Sequence, residues 1–169
     1  MSELNKVPEH LRPIIGKLVK RLEDFFCERL FSVVIFGSIA RGDWRSDSDI
    51  DILIVADGLP KSRLERQKIF ILIEEDLRND LEGLWDEGYY HDFSPILKTP
   101  EEAQKISPLY LDLVEDAIIL YDKNDFFKNI LLRLKKRLEN LGAKRIFIGK
   151  KWIWDLKPDY KLGEVIDLE

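Results

Sequence analysis

Residues Phe36 to Ile52 read FGSIARGDWRSDSDIDI, and this stretch decides which fold and which chemistry the sequence predicts. The run FSVVIF that leads into it is rich in β-branched and aromatic residues, so it predicts a strand that stops at Gly37. The run DIDILIVAD that closes it alternates acidic with apolar residues before it becomes wholly apolar, which predicts a second strand. The sequence therefore joins two strands by a polar turn with two glycines.

The turn and the second strand combine groups that suit a phosphate with groups that suit a cation. Gly37 permits a tight turn and the close approach of an anion, and a helical turn that starts at Ser38 would direct free N–H groups at that anion. Asp49 and Asp51 lie two residues apart on a strand, so their carboxylates emerge on one face and repel each other unless a cation lies between them. Such oxygen ligands suit Mg²⁺, which takes further ligands from substrate phosphates. This combination is typical of nucleotidyl transfer.

The same stretch resembles the polymerase-β-type nucleotidyltransferase superfamily, and in particular its minimal branch, of the kind found in archaea. The family pattern is an apolar residue, Gly-Ser, about nine to thirteen residues and then acid-apolar-acid-apolar. Here residues 36–38 are followed by ten residues and then by residues 49–52. The longer form Gly-Ser-x-Ala-Arg-Gly, ending in Ser-Asp-x-Asp, matches residues 37–42 and 48–51 without a gap. The resemblance covers the region from the first through the third predicted strand.

The resemblance implies a nucleotidyltransferase that moves a nucleoside monophosphate, most simply AMP from ATP, onto a hydroxyl group and releases pyrophosphate. Asp49 and Asp51 would bind two Mg²⁺ ions. The residues implied in nucleotide binding are Gly37, Ser38, Arg41 and Ser48. For Arg41 a structural alternative stays open, because its guanidinium could instead form an ion pair with Asp43 or Asp49.

A third carboxylate on a later strand is a further property of the family, and its position predicts Asp92 for that role. Asp92 lies in the run YYHDFSPIL, which predicts the third strand. The resemblance implies that Asp92 joins the metal site or accepts the proton of the attacking hydroxyl. Asp86 is the alternative, although it precedes Gly88 in a segment that reads as a loop. An ordinary acid at a strand edge is the structural alternative for Asp92.

Outside this stretch, helical and extended patterns alternate along the chain. Apolar residues at helical spacing predict helices over residues 11–30, 62–81 and 125–141, and the run AIILYD predicts a fourth strand. The order predicts an α+β domain in which helices pack on a small mixed sheet. We expect residues 1–125 to form the catalytic domain and residues 126–169 to add a helix and a basic aromatic tail to the same compact unit. For the tail, from residue 143 onward, the pattern predicts no secondary structure.

Composition sets further bounds on the function. The chain has 169 residues, a net charge of −5 and a single cysteine, which excludes an internal disulfide and a cysteine-based zinc site. Cys27 follows the apolar side of the first helix, which predicts that it is buried. Apolar runs stay well short of the roughly 20 residues of a membrane span, and the first residues do not read as a secretion signal. We therefore expect a cytoplasmic protein without a membrane partner, and abundant Lys and Glu suggest a thermophile.

The charge distribution supports a second interpretation. Residues 133–151 carry eight bases and one acid, and they adjoin Trp152 and Trp154, whose rings could stack on a nucleic-acid base or pack in the core or a dimer. The alternative to an enzyme is thus a non-catalytic binding module that uses this tail for a protein or nucleic-acid partner.

The resemblance also bears on the acceptor of the nucleotide. Minimal nucleotidyltransferases are often paired with a HEPN-type ribonuclease and act as antitoxins by adenylylating it, so the resemblance implies a HEPN-type partner. A small-molecule acceptor is a further alternative, and it would predict a homodimer whose tail covers the site.

Overall fold

A four-stranded mixed sheet forms the centre of the computed structural model, which describes residues 3–149 and 151–168. Its strands are β1 (Leu30–Ile35), β2 (Ile50–Ala56), β3 (Phe93–Lys98) and β4 (Ile118–Asp122). They lie in the order β3-β2-β1-β4, with β1 antiparallel to both β2 and β4, and with β2 parallel to β3. This arrangement confirms the predicted α+β class with its mixed sheet.

The helices that surround the sheet follow the predicted order with one interruption. They are α1 (Arg12–Phe26), α2 (Gly37–Arg41), α3 (Arg63–Glu74), α4 (Arg78–Asp86), α5 (Pro100–Gln104), α6 (Pro108–Asp116) and α7 (Phe126–Leu141). The single helix predicted over residues 62–81 is wrong, because a 3₁₀ turn at Glu75–Leu77 separates α3 from α4. The turn lets two short helices cover the sheet where one straight helix was expected.

Each face of the sheet buries its own hydrophobic layer. In β2, Ile52 and Ile54 pack with α1, α3 and α4, whereas Leu53 and Val55 pack with α5, α6 and α7. Successive side chains of a strand point to opposite faces, and each fully buried aliphatic side chain contributes about 1.5–3 kcal/mol. Asp51 shares the second face with Leu53 and Val55. The fold therefore places this carboxylate on the side of the sheet that α6 covers.

The tail for which the sequence predicted no secondary structure forms a hairpin. Its strands, β5 (Lys144–Ile148) and β6 (Lys151–Asp155), are antiparallel and form a separate two-stranded sheet. Trp154 and Leu156 are partly buried against the same hydrophobic layer that holds α7. The segment after residue 125 thus joins the hydrophobic layer on the second face of the sheet through α7 and through one face of the hairpin.

Cys27 is exposed, so the prediction that it lies in the core is wrong. The first helix ends at Phe26, and Cys27 takes a positive φ of 50°, so the helical spacing that predicts its burial does not extend to it.

Among the residues that the structure describes, no helix is both long enough and apolar enough to cross a membrane.

Candidate active site

The turn after β1 places Gly37 directly against the carboxylate of Asp51. Gly37 opens α2 with a φ of 70°, and a Cβ at this position would lie 3.0 Å from Asp51 Cγ and closer still to Oδ2. The N–H of Phe36 donates to the Asp51 carbonyl at 3.1 Å, which continues the β1–β2 pairing up to the turn. Glycine is required here because any side chain would need both a left-handed backbone and the space of the carboxylate.

Asp49 and Asp51 are coupled electrostatically. Asp51 is half-buried, whereas Asp49 is exposed. Burial raises the pKa of the Asp51 carboxyl and the charge of Asp49 raises it further, while a hydrogen bond from Ser94 and the charge of Arg41 lower it. Ser94 lies opposite Asp51 in the parallel pairing of β2 with β3. Burial of Asp51 next to the charge of Asp49 therefore lowers the stability of the fold. A cation bound between the two carboxylates would relieve their repulsion.

The donor set of the pair suits a hard divalent cation. Two carboxylates on one strand face can supply one or two oxygen ligands each, and Mg²⁺ is commonly held by such a pair together with substrate phosphates. Within the described ranges, no group of three or more His, Cys, Asp or Glu side chains is arranged to hold a metal ion. Asp49 and Asp51 could thus supply two carboxylates to a magnesium site, with substrate oxygens as further ligands.

A cleft of about 290 Å³ opens beside Asp51, between α2 and α6. Its polar lining consists of Ser38, Arg41 and Asp51 with Gly37 on one side, and of Asp112 and Asp116 on the other. The structure thus brings three of the predicted nucleotide-binding residues together with Asp51. A larger groove of about 670 Å³ lies between α5 and α7, away from the paired carboxylates.

Ser48 is not among the residues that line this cleft. Its hydroxyl accepts a hydrogen bond from the N–H of Arg45 at 2.8 Å, and its carbonyl accepts one from Nδ1 of His91 at 2.6 Å. Both bonds shape the loop that leads to Asp49. The role of Ser48 in nucleotide binding stays a prediction.

Asp92 is exposed and lies immediately before β3. Its carbonyl accepts a hydrogen bond from the N–H of Ile50 at 2.8 Å, so its backbone is fixed beside the start of β2. Its charge acts on Glu74, whose pKa is raised by burial first and by Asp92 second. Asp92 is not among the groups that shift the pKa of Asp51. Its role as third carboxylate stays a prediction.

His91 and His10 form a contact that the sequence did not predict. His91 is fully buried, and its Nε2 lies 3.1 Å from Nε2 of His10, whose ring stacks on Tyr89 at 4.0 Å. Because the Ser48 carbonyl can only accept, we assign the proton to His91 Nδ1, and His91 Nε2 then accepts from His10. Through Nδ1, His91 thus joins the segment before Asp92 to the loop before Asp49, and through Nε2 it joins that segment to the residues before α1.

The β5–β6 hairpin reaches the cleft through two carboxylates of α6. Nε1 of Trp152 and Nε1 of Trp154 both donate to Oδ1 of Asp112, at 2.8 and 2.9 Å. Arg145 donates from Nη1 and Nη2 to the two oxygens of Asp116, at 3.3 and 2.8 Å. Neither carboxylate was predicted from the sequence as a functional residue, although their i, i+4 spacing on α6 places them on one face. Their partners are the tail residues for which no structure was predicted.

Comparison with known proteins identifies the family. A family model described as a nucleotidyltransferase domain matches residues 19–163, which include the sheet, the cleft and the hairpin. The chain belongs to the nucleotidyltransferase family. A Methanocaldococcus jannaschii protein, provisionally named a protein adenylyltransferase, is 32% identical to this nucleotidyltransferase over 150 residues, which cover 86% of this chain and 94% of the relative. A second M. jannaschii protein with the same kind of name is 39% identical over 56 residues, which cover 33% of this chain and 56% of that relative.

Solved structures resemble the chain more distantly. A toxin–antitoxin structure with AMP-PNP has a TM-score of 0.49 and 18% sequence identity, covering 75% of this chain and 87% of that chain. A structure from Shewanella oneidensis has a TM-score of 0.45 and 16% identity, with the same coverage of both chains.

The family match confirms the resemblance to the minimal nucleotidyltransferase branch and the prediction that the chain is an enzyme. The alternative of a non-catalytic binding module is therefore set aside. The environment of the tail agrees with this, because Trp152 and Trp154 are both half-buried and both donate to Asp112.

Proposed function

We propose that this nucleotidyltransferase is a magnesium-dependent protein adenylyltransferase, which moves AMP from ATP onto a protein hydroxyl and releases pyrophosphate. The observation that carries the proposal is the Asp49–Asp51 pair, with Asp51 held against Gly37 at the mouth of the cleft. The named activity of the M. jannaschii relative, which matches over 94% of its own length, supports a protein as the acceptor.

Residues at the start of α2 bind the triphosphate in this proposal. The backbone at Gly37 leaves room for a phosphate, and Ser38 offers its N–H and its hydroxyl to the same group. Arg41 forms an ion pair with Asp43 at 3.3 Å and lines the cleft, so its guanidinium can exchange an exposed carboxylate for a phosphate oxygen. Ser48, in the loop before Asp49, is a further contact of the nucleotide in this proposal.

Asp49 and Asp51 hold the metal in this proposal. Two bound Mg²⁺ ions would neutralise the triphosphate and favour the α-phosphate as the point of attack. The bond between the α- and β-phosphates breaks, and the acceptor oxygen forms the new bond to the α-phosphate. We assign to Asp92 the role of accepting the proton of the attacking hydroxyl. Its carboxylate is exposed, and in the sequence it precedes by two residues Ser94, the hydrogen-bond partner of Asp51.

The acceptor in this proposal is a hydroxyl side chain, most simply a tyrosine, of a HEPN-type partner, for which the chain acts as antitoxin. The resemblance to minimal nucleotidyltransferases supports this choice. The site itself is consistent with a macromolecular acceptor, because the cleft is small and the side chains of Asp49 and Asp92 are exposed.

Transfer of label from α-labelled ATP tests the proposal. The enzyme is incubated with Mg²⁺ and a lysate of the source organism, and the product is treated separately with protease and with ribonuclease. We expect label in one protein, and a loss of at least about 100-fold in the Asp49→Asn and Asp51→Asn variants. Asp47→Asn is the matched control, because it removes an exposed carboxylate two residues from Asp49 that pairs with Arg45. Label that resists protease, or that is unchanged in Asp51→Asn, would contradict the proposal.

A further inference from the structure

Trp152 connects the C-terminal hairpin with a residue of the cleft. The guanidinium carbon of Arg41 lies 4.9 Å from the centroid of the Trp152 ring, and that of Arg145 lies 4.1 Å from it. A guanidinium group within about 6 Å of an indole face is attracted by the negative charge of that face. Two guanidinium groups thus stack on one ring, and only one of them, that of Arg41, lines the cleft.

Hydrogen bonds to α6 hold the two side chains that the hairpin contributes to this stack, Trp152 and Arg145. Trp152 donates from its ring edge to Asp112 at 2.8 Å, and Arg145 forms two hydrogen bonds with Asp116. The side chain of Arg145 is 14% exposed. Since both α6 carboxylates are engaged in this way, the ring has little freedom to move relative to the cleft.

The other anchor of Arg41 is weaker. Its ion pair with Asp43 has N–O distances of 3.3 and 3.4 Å, and the Asp43 side chain is 57% exposed. Exposed ion pairs of this kind contribute little, because water screens the charges and two side chains must be ordered. The indole ring is therefore a contact of Arg41 at least as strong as its ion pair with Asp43, and it helps to set where the guanidinium lies.

We propose that Trp152 is a positioning residue, which holds the guanidinium of Arg41 beside Asp51 in the orientation that receives a phosphate of the nucleotide. The proposal rests on the proposed function, because it takes Arg41 as a nucleotide contact. A long side chain that is already ordered loses less entropy when its ligand binds. The hairpin thus increases nucleotide affinity without itself touching the nucleotide.

Trp154 supplies the matched control for a test. It donates to the same oxygen of Asp112 and is partly buried against the central sheet, whereas the stack on Arg41 is formed by Trp152. By calorimetry, we expect Trp152→Ala to raise the Kd for Mg²⁺-ATP by about three- to tenfold. Trp154→Ala should change it by less than about twofold, and Trp152→Phe, which keeps an aromatic face, should restore most of the affinity. Trp152→Ala should add nothing in an Arg41→Ala background.

The Nε–Hε resonance of Arg41 gives a readout that needs no nucleotide. Loss of the ring current should shift this resonance in Trp152→Ala and leave it nearly unchanged in Trp154→Ala. Equal weakening of nucleotide binding by the two alanine variants, or an Arg41 resonance that Trp152→Ala does not move, would overturn the role of Trp152. Absence of Mg²⁺-ATP binding in the wild type would instead overturn the proposed function.

Discussion

A half-buried carboxylate lies at each end of the β2–β3 strand pair. The pKa of one is raised and the pKa of the other is lowered. At the amino end, burial raises the pKa of Asp51, and its neighbour is a second carboxylate, Asp49. At the carboxyl end, Glu102 in the first turn of α5 accepts hydrogen bonds from both Nη atoms of Arg66, at 2.6 and 2.9 Å. Hydrogen bonding by Arg66 lowers the pKa of Glu102 to about 2.

We interpret this difference as that between a carboxylate kept for a ligand, as proposed for Asp51, and a carboxylate that stabilises the fold. A raised pKa means that the charged form of Asp51 is less favourable in the folded chain than in the unfolded chain. A lowered pKa means the reverse for Glu102, whose Arg66 partner also donates to the carbonyl of Leu97 at 3.0 Å and so joins α3 to β3. In this interpretation, the residues that carry the proposed chemistry and those that stabilise the fold lie at opposite ends of the same pair of strands.

We expect the largest effect on transfer from a substitution at Gly37, where the site at the amino end of β2 depends on backbone geometry. Gly37→Ala would insert a Cβ into the carboxylate of Asp51 at a φ of 70°, so we expect AMP transfer to fall by at least about 100-fold. Gly42→Ala is the matched control, because Gly42 also has a positive φ, of 80°, but has open space where the Cβ would lie. Gly42→Ala should destabilise the fold by about 1 kcal/mol through backbone strain alone and keep most activity. Equal activity of the two variants would contradict the role of Gly37.

Exchanging the two carboxylates for amides should produce opposite effects on activity and stability. Asp51→Asn should lower transfer by at least about 100-fold and raise the free energy of unfolding at pH 7 by about 1 kcal/mol, since a repelled carboxylate is removed. Glu102→Gln should keep transfer within about twofold and lower the free energy of unfolding by about 1 kcal/mol, because Arg66 loses its charged partner. The amide at 102 can still accept from the N–H of Thr99, so the helix cap is preserved. Urea unfolding and label transfer measure the two properties on the same samples.

The stability of the fold should respond to acid through Glu102. Because the pKa of Glu102 is lowered from 4.5 to about 2, its stabilisation is fully present above about pH 4.5 and is lost as the pH falls towards 2. The wild type should therefore lose its advantage over Glu102→Gln across that window. Urea unfolding at pH 7, 4 and 2.5 measures the difference, and a difference that stays constant with pH would show that the Arg66 pair is not its source.

The smallest effect is expected at Ser94. Ser94→Ala removes a hydrogen bond that lowers the pKa of Asp51, so that pKa should rise further and the acid limb of the transfer rate should move to higher pH. The rate at pH 7 should fall by only about two- to threefold, as the loss of one hydrogen bond implies. A pH–rate profile with unchanged acid limb would mean that Ser94 does not act through Asp51.

The amino-end site could be predicted because its parts are close in the sequence. Gly37 and Ser38 follow one strand, and Asp49 and Asp51 open the next. Their spacing, together with the alternation of side chains between the two faces of a strand, is enough to place Asp51 beside the turn. The hairpin could not be predicted in this way. Its strands are short and charged, and they are held by Asp112 and Asp116 on a helix whose spatial position the sequence did not give. Arg66 and Glu102 were missed for the same reason, since their elements meet only in the folded sheet.

The melting temperature with and without Mg²⁺-ATP tests the central claim most directly, when the wild type is compared with Asp51→Asn. We expect Mg²⁺-ATP to raise the melting temperature of the wild type, as binding to the folded state must, and to leave that of Asp51→Asn unchanged. We also expect Asp51→Asn without ligand to melt at a higher temperature than the wild type. An Asp51→Asn variant that melts lower and still responds fully to Mg²⁺-ATP would contradict the claim that Asp51 is a carboxylate kept for the nucleotide and its metal.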